Sequence, residues 1–197
     1  MSAMQIFGDL GSGNCLKVKW TAAALAIPYS WTDVDILKGE SRTAAFLAMN
    51  PAGQVPTVVL EDGRALGESN AIMRYLARGS RLLPDDPFVQ AQIDGWLFWE
   101  QNAHEPNVAG ARFRMLYLSQ PASAVPEAMR VRGDQALDRL EAHLTSKDWL
   151  VGDAMTIADI ALVAYTRVAH EGGFNLAARP AVRAWIARCE AELGLAS

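Results

Sequence analysis

The 197-residue chain has little cysteine and histidine: two cysteines, Cys15 and Cys189, and three histidines. Cysteines so far apart make no disulfide framework, and without a Cys-x-x-Cys pair or clustered histidines there is no spacing for a structural zinc. Long hydrophobic runs are also missing. No apolar stretch approaches the roughly 18 to 20 residues of a membrane span, and the opening MSAMQIFGDL has neither a basic first segment nor a long apolar one. The expected location is the cytoplasm. Charge of one sign is scarce too: 18 Lys and Arg stand against 22 Asp and Glu, for a net charge of -4. With the basic residues scattered singly, no footprint for nucleic acid exists. No internal repeat is visible. What remains is 51% hydrophobic and 20% charged residues at a mean hydropathy of +0.05, the apolar end of an ordinary globular protein. At roughly 150 residues per domain the length allows one large domain or two small ones.

The first eighty residues alternate short apolar runs with helical patterns. Met4 to Gly8 reads as a buried strand, and Cys15 to Ala26 as a helix stopped by Pro28. Tyr29 to Asp35 alternates like a strand, and Ser41 to Met49 is helix-like until Asn50-Pro51. Thr57 to Leu60 and Arg64 to Gly67 flank Asp62-Gly63, a pair that tolerates positive φ in a hairpin turn. Ser69 then opens a third helix to Ala77. The expected class is α+β: a four-stranded mixed sheet in which the βαβ strands are parallel and the hairpin pair antiparallel.

Gly79 to Pro87 has linker composition, and everything after it reads as helix and loop. The expected division is residues 1–78, a linker at 79–87, and an all-α domain at 88–197. Phe88 to about Ala103 is helical, with Pro106 expected to bend the chain or interrupt the helix there. Glu127 to about Ser146 carries one apolar face. Thr156-Ile157-Ala158-Asp159 is a capping-box variant, with Met155 and Ile160 placed as a hydrophobic staple, opening a helix to about His170. Pro180 suits the first turn of the last helix.

Three segments carry possible chemistry: Gly8-Asp9-Leu10-Gly11-Ser12-Gly13-Asn14-Cys15-Leu16-Lys17-Val18, Asn50-Pro51-Ala52-Gly53-Gln54-Val55-Pro56, and Glu68-Ser69-Asn70-Ala71-Ile72. By itself Ser12 is a turn or N-cap residue, and Glu68-Ser69 a plain helix start. Cys15, in the first turn of a helix, is either a thiol of lowered pKa or a small buried hydrophobe. Cys189 lies on an apolar stripe.

In order and spacing these segments resemble the glutathione-binding domain of cytosolic glutathione S-transferases, of the bacterial type with a serine and asparagine loop. The likeness covers residues 4 to 78. The helical half resembles the family through its capping box and through Trp99-Glu100-Gln101 and His104-Glu105-Pro106. The resemblance implies a thioredoxin-like βαβ-α-ββα domain before the helical one. It implies glutathione as cosubstrate and no metal, and a small hydrophobic electrophile or a peroxide as second substrate. It also implies a role in detoxification and a homodimer, with no nucleic-acid or membrane partner.

By the same resemblance Ser12, alone or with Asn14, stabilises the glutathione thiolate. Val55, before a cis Pro56, pairs with the cysteinyl part like a short strand. Ser69 holds the γ-glutamyl carboxylate and Glu68 its ammonium group. Arg42, with Ser41, and Gln54 face the glycyl carboxylate, whereas Lys38 is solvated. Trp96, Trp99, Phe113, Met115 and Tyr117 line the second-substrate side or belong to the core; His104 and Arg112 orient an electrophile or face solvent. Two other functions fit the same residues. One is glutathione-dependent disulfide reduction, with Cys15 at the resolving position of a thioredoxin-like loop; the other is a non-catalytic binding or scaffold protein that keeps the fold.

Overall fold

The computed structural model describes residues 4–195; positions 1–3 and 196–197, the outer ends of the two expected domains, lie outside the described residues. After Ser80 the chain separates into two compact units. In the first, β1 (Met4–Gly8), α1 (Gly13–Ala24), β2 (Tyr29–Asp33), α2 (Ala44–Met49), β3 (Thr57–Val59), β4 (Ala65–Leu66) and α3 (Ser69–Ala77) follow in that order. The strands form one mixed sheet, β2-β1-β3-β4. β1 and β2 are parallel with Met4 opposite Tyr29, while β3 is antiparallel to both β1 and β4.

Alternation along β1 buries Met4, Ile6 and Gly8 on one face and turns Phe7 to the other. Phe7 meets Phe46 of α2 edge-on, with ring centroids 6.3 Å apart. Gly8 lies against Cys15 of α1 and Trp31 of β2, so close that a Cβ there would stand 2.7 Å from the Trp31 ring. The two helices therefore cover opposite faces of the sheet. α3 packs on α1, and Val18, Ala22, Ile72, Met73 and Ala77 fill the space with no exposed surface.

The helix expected over 41–49 is divided. Glu40–Arg42 forms one 3-10 turn, and Thr43 starts a new helix because its hydroxyl accepts the Phe46 N–H at 3.3 Å. The hairpin turn forms as expected, with Gly63 at φ +83° and the Arg64 N–H on Asp62 Oδ1 at 3.0 Å.

The second unit holds α4 (Pro87–Trp99), α5 (Glu105–Arg112), α6 (Glu127–Leu144), α7 (Ile157–Thr166) and α8 (Pro180–Leu193). Pro106 does not break the chain. Glu100–His104 widens into a π-helical turn, α5 comes next, and Phe113–Tyr117 is π-helical again, so residues 87–117 are helical throughout. A proline lacks the N–H for the i−4 carbonyl and its ring collides with it; a wider turn moves that carbonyl away. Every residue of α7 is buried, and α4, α5 and α8 pack around it. α7 ends at Thr166, short of the expected His170, and a 3-10 turn forms at Ala169–Gly172. Among the described residues no helix is long and apolar enough to cross a membrane.

The capping box is present. Asp159, fully buried, accepts from Thr156 N at 2.9 Å, Leu150 N at 3.0 Å, Trp185 Nε1 at 2.9 Å and Thr156 Oγ1 at 3.2 Å. One carboxylate thus ties the start of α7 to α8 and to the loop before it. Burial pushes its pKa up while these four donors hold it down. Asp159→Ala strands several buried donors, and the expected loss of stability is at least about 3 kcal/mol, read from urea unfolding; a loss below about 1 kcal/mol means that water replaces the carboxylate.

Candidate functional site

Ser12 closes the loop after β1 with extended backbone angles, φ −87° and ψ 120°. Asp9 braces that loop: its carboxylate takes the Gly11 N–H at 2.7 Å and its carbonyl the Ser12 N–H at 3.0 Å. The Ser12 carbonyl accepts from the N–H groups of Cys15 and Leu16, so the cap is made by backbone. The Ser12 side chain hydrogen-bonds the Cys15 thiol instead.

Asn14 stands in the first turn of α1. Its Oδ1 accepts from Lys17 Nζ at 2.7 Å and from Ser69 Oγ at 3.3 Å. Lys17 is fully buried and Ser69 nearly so. Ser69 is the first residue of α3, so one amide oxygen joins the N-termini of two helices. Glu68 before it is exposed and sits at φ +64°, in the region an L-residue seldom adopts.

The segment from Asn50 to Pro56 is drawn together by Asn50. Its Nδ2 donates to the Gln54 carbonyl at 3.0 Å and to Thr57 Oγ1 at 2.9 Å, and its Oδ1 accepts the Ala52 N–H at 3.1 Å. The Thr57 hydroxyl donates to the same Gln54 carbonyl at 2.9 Å. These bonds enclose Val55-Pro56, whose peptide bond is cis. Asn50 also lies against Gly67, where a Cβ would stand 3.1 Å from its Nδ2; the same side chain seats this loop beside the approach to Glu68. Arg42 donates from Nη1 to the Ala52 carbonyl at 3.0 Å, with its guanidinium over Gly53. The Gln54 side chain is exposed.

The structure thus joins Ser12, Asn14 and Ser69 at two helix starts, links Gln54, Val55 and Pro56 to Glu68 through Asn50 and Gly67, and leaves Arg42 on the loop's outer side. Lys17 and Asn50 were not among the expected site residues. A lysine in an amphipathic helix ordinarily reads as solvated, and an asparagine before proline as a helix stop. The only sequence signal for Lys17 is its three-residue spacing from Asn14, which places both on one face of α1.

In the second unit, His104 and Arg112 have structural partners. His104 is fully buried with Nε2 on the Thr166 hydroxyl at 3.0 Å, and Arg112 is buried against the Glu171 carboxylate. Neither faces solvent, the alternative the sequence left open for them: the helix continues through Pro106 and both side chains are buried. Trp96 and Trp99 are half-buried and meet edge-on at 5.3 Å. The Arg139 guanidinium lies 4.5 Å from the Trp99 ring. Trp99, Asn107, Arg132 and Arg139 are among the residues lining a cleft of about 550 Å³. Phe113 stacks on Tyr117 at 5.2 Å.

A mixed four-stranded sheet of this order, with paired helix starts beside a cis-proline loop and a helical unit after it, defines a thioredoxin-fold protein with an appended helical domain. Comparison with known proteins agrees. Residues 11–78 match the family described as Glutathione S-transferase, N-terminal domain, and residues 106–192 match Glutathione S-transferase, C-terminal domain. Glutathione S-transferase 3 of Zea mays is 32% identical over 94% of this chain and 88% of its own. The crystal structure of a glutathione S-transferase from Pseudomonas fluorescens superposes with a TM-score of 0.92 at 47% identity, covering 96% of this chain and 95% of that one. The Saccharomyces cerevisiae protein named Transcriptional regulator URE2 is 31% identical over 87% of this chain, which spans 60% of it. Ure2p in complex with glutathione superposes with a TM-score of 0.87 at 29% identity, over 96% of this chain and 94% of that one. The chain belongs to the glutathione S-transferase family.

Cys15 is fully buried, and burial pushes its thiol up to about 11, against the hydrogen bonds from the Asp9 backbone and the Ser12 side chain. Burial likewise raises Cys189. The expected result is that a thiol reagent at pH 8 modifies neither cysteine in the native protein and both after denaturation. Because folded Cys15 keeps its proton longer than the unfolded thiol, with its pKa of about 8.5, stability is full below pH 8.5 and declines as pH rises toward 11, by about 3 kcal/mol. Rapid native-state modification of Cys15 contradicts this.

Proposed function

We propose that the protein is a glutathione transferase whose first unit binds glutathione and whose second unit supplies the electrophile side. The observation that carries this reading is the convergence of the α1 and α3 N-termini, tied through Asn14 and Ser69 beside the Val55-Pro56 loop. Helix starts present N–H groups and the positive end of the macrodipole, which suits the thiolate at one and the γ-glutamyl carboxylate at the other. The Ser69 hydroxyl has one proton and directs it to Asn14, so backbone N–H groups at the start of α3 take the carboxylate. Glu68 faces the ammonium group, and the Val55 backbone pairs with the cysteinyl residue. Arg42 and Gln54 are the donors offered to the glycyl carboxylate.

Ser12, with Asn14, stabilises the thiolate, since hydrogen bonds to the charged form and a helix N-terminus both lower a thiol pKa. The thiolate attacks an electrophilic carbon. A carbon–sulfur bond forms, the leaving group departs with its electron pair, and the thiol proton goes to solvent. With a peroxide, two glutathiones are oxidised to the disulfide as the peroxide is reduced to alcohol and water. The nucleophile belongs to the cosubstrate, so the residues contribute positioning and thiol activation. Disulfide reduction through Cys15 is disfavoured by the buried, protonated state of that thiol. The second reading, a non-catalytic binding protein, is favoured by the likeness to a transcriptional regulator.

Calorimetric titration with reduced glutathione tests the site, and turnover of an aryl halide by the protein that binds it separates the transferase from the non-catalytic reading. Binding is expected, and Ser12→Ala should leave the affinity within about threefold while raising the bound thiol pKa; each unit of rise costs about tenfold in thiolate below it. No binding by the native protein refutes the transferase reading, and a large affinity loss with an unshifted pH profile refutes the role of Ser12.

We further propose a homodimer with a cytoplasmic, detoxifying role. Supporting the dimer, Phe88 and Phe98 on α4 are 71% and 74% exposed, and with Ala91 and Gly95 between them they share one helix face at i, i+3, i+7 and i+10. Sedimentation should give twice the chain mass for the native protein and the single mass for Phe98→Asp; a native monomer refutes the dimer.

A further inference from the structure

A buried lysine is an unusual neighbour for a thiol site. Lys17 has no exposed surface, and burying an ammonium requires close polar partners. One partner is Asn14 Oδ1, 2.7 Å from Nζ. An ammonium carries only donors, so the group facing it has to be an acceptor. That settles the orientation of the Asn14 amide, which shape alone leaves open. The second neighbour agrees, because the Ser69 hydroxyl donates to the same Oδ1 at 3.3 Å. With its oxygen held by Lys17 and Ser69, Asn14 carries its two Nδ2–H donors at the opposite end of the amide group.

We propose that Lys17 is a positioning residue of the thiolate site: it locks the Asn14 amide so that Nδ2, and not Oδ1, faces the glutathione sulfur beside Ser12. The inference rests on the glutathione reading above and deepens it by dividing the labour between the two candidate donors. Asn14 becomes a donor in a fixed direction, polarised by the cation on its oxygen, since a hydrogen bond at one end of an amide strengthens the donor at the other. Ser12 is the adaptable partner, because its hydroxyl rotates and its present partner is the Cys15 thiol.

Other charges act on the same place. Asp9, in the loop before α1, opposes Lys17 at the Cys15 sulfur: its carboxylate raises that thiol's pKa while the ammonium lowers it. Asp9 directs a carboxylate oxygen to the Gly11 N–H at 2.7 Å. Glu68 at the start of α3 is exposed to solvent, where screening weakens it. Cys15 keeps its proton through neutral pH and contributes no charge. Fixed donor direction, rather than net field, is therefore what Lys17 contributes most.

Two substitutions test this. Lys17→Met keeps the length and volume of the buried side chain and removes the ammonium. Asn14→Asp keeps an acceptor for Lys17 and Ser69 and removes the Nδ2 donors. The measurements are calorimetric glutathione affinity, a pH titration of the bound thiolate's ultraviolet absorbance, and the rate with an aryl halide across pH. For Lys17→Met the expected result is an affinity within about threefold of native with a thiol pKa about one unit higher. The rate near pH 6.5 then falls by about tenfold and recovers as pH rises. A merely structural role predicts a uniform loss at every pH. For Asn14→Asp the thiol pKa should rise at least as far, while the melting temperature holds or rises because a carboxylate now faces the ammonium. An unchanged thiol pKa in either variant overturns the inference, and so does a lower melting temperature in Asn14→Asp; this second variant decides the matter if Lys17→Met does not fold. Failure of the native protein to bind and ionise glutathione overturns the glutathione reading and this inference together. A native protein that ionises glutathione, with Lys17→Met ionising it equally, overturns the role of Lys17 alone.

Discussion

A single amide oxygen joins the two halves of the site. Asn14 Oδ1 lies between a buried ammonium from its own helix and the first hydroxyl of α3, and through it the starts of α1 and α3 are held in register. Helix packing brings those ends near each other, because α1 and α3 pack together and Val18, Ile72 and Met73 on them are fully buried. Packing of apolar side chains is non-directional, however, and does not determine which polar group faces which. The Asn14 bonds do that, and only in a buried setting where an unmet ammonium would be costly.

The surrounding elements support the same geometry. Gly8 lets Cys15 and Trp31 close in behind the Ser12 loop, which keeps the start of α1 tight against the sheet. Asn50 serves the opposite side, drawing the Gln54 to Thr57 loop round the cis-proline and seating it on Gly67. Each device is a close polar or steric contact at a turn. The regular elements provide rigidity and the turns provide direction, the usual division between scaffold and site.

Much of this was legible in the sequence. Strand β1 and helix α3 occupy the expected residues because their signals are local: an apolar alternation in one, a serine start with an apolar stripe in the other. The capping box at Thr156 was legible for the same reason. Pro106 misled because the usual penalty for a proline inside a helix assumes an α-helical turn before it, and the chain forms a wider one. The 41–49 segment misled because Thr43 competes for the helix start with its own side chain. Ser12, Asn14, Val55-Pro56 and Ser69 were legible as candidates through their motif order, and the structure brings Ser12, Asn14 and Ser69 to two helix starts. His104 and Arg112 were read as polar groups near a bend at Pro106, and in the continuous helix both are buried. Lys17 and Asn50 were not read as candidates, because a lysine three residues from Asn14 ordinarily reads as solvated until its burial is seen, and Asn50 takes its role from Thr57 and from Gly67, seventeen residues on.

The central claim is that these converging helix starts form a glutathione thiolate site. The most direct measurement is a crystal structure of the protein with reduced glutathione. The predicted result places the sulfur within hydrogen-bond distance of Ser12 Oγ and Asn14 Nδ2, and the γ-glutamyl carboxylate on the backbone N–H groups that open α3. A tripeptide bound with its sulfur facing solvent, or with Asn14 Oδ1 turned toward the sulfur, contradicts it.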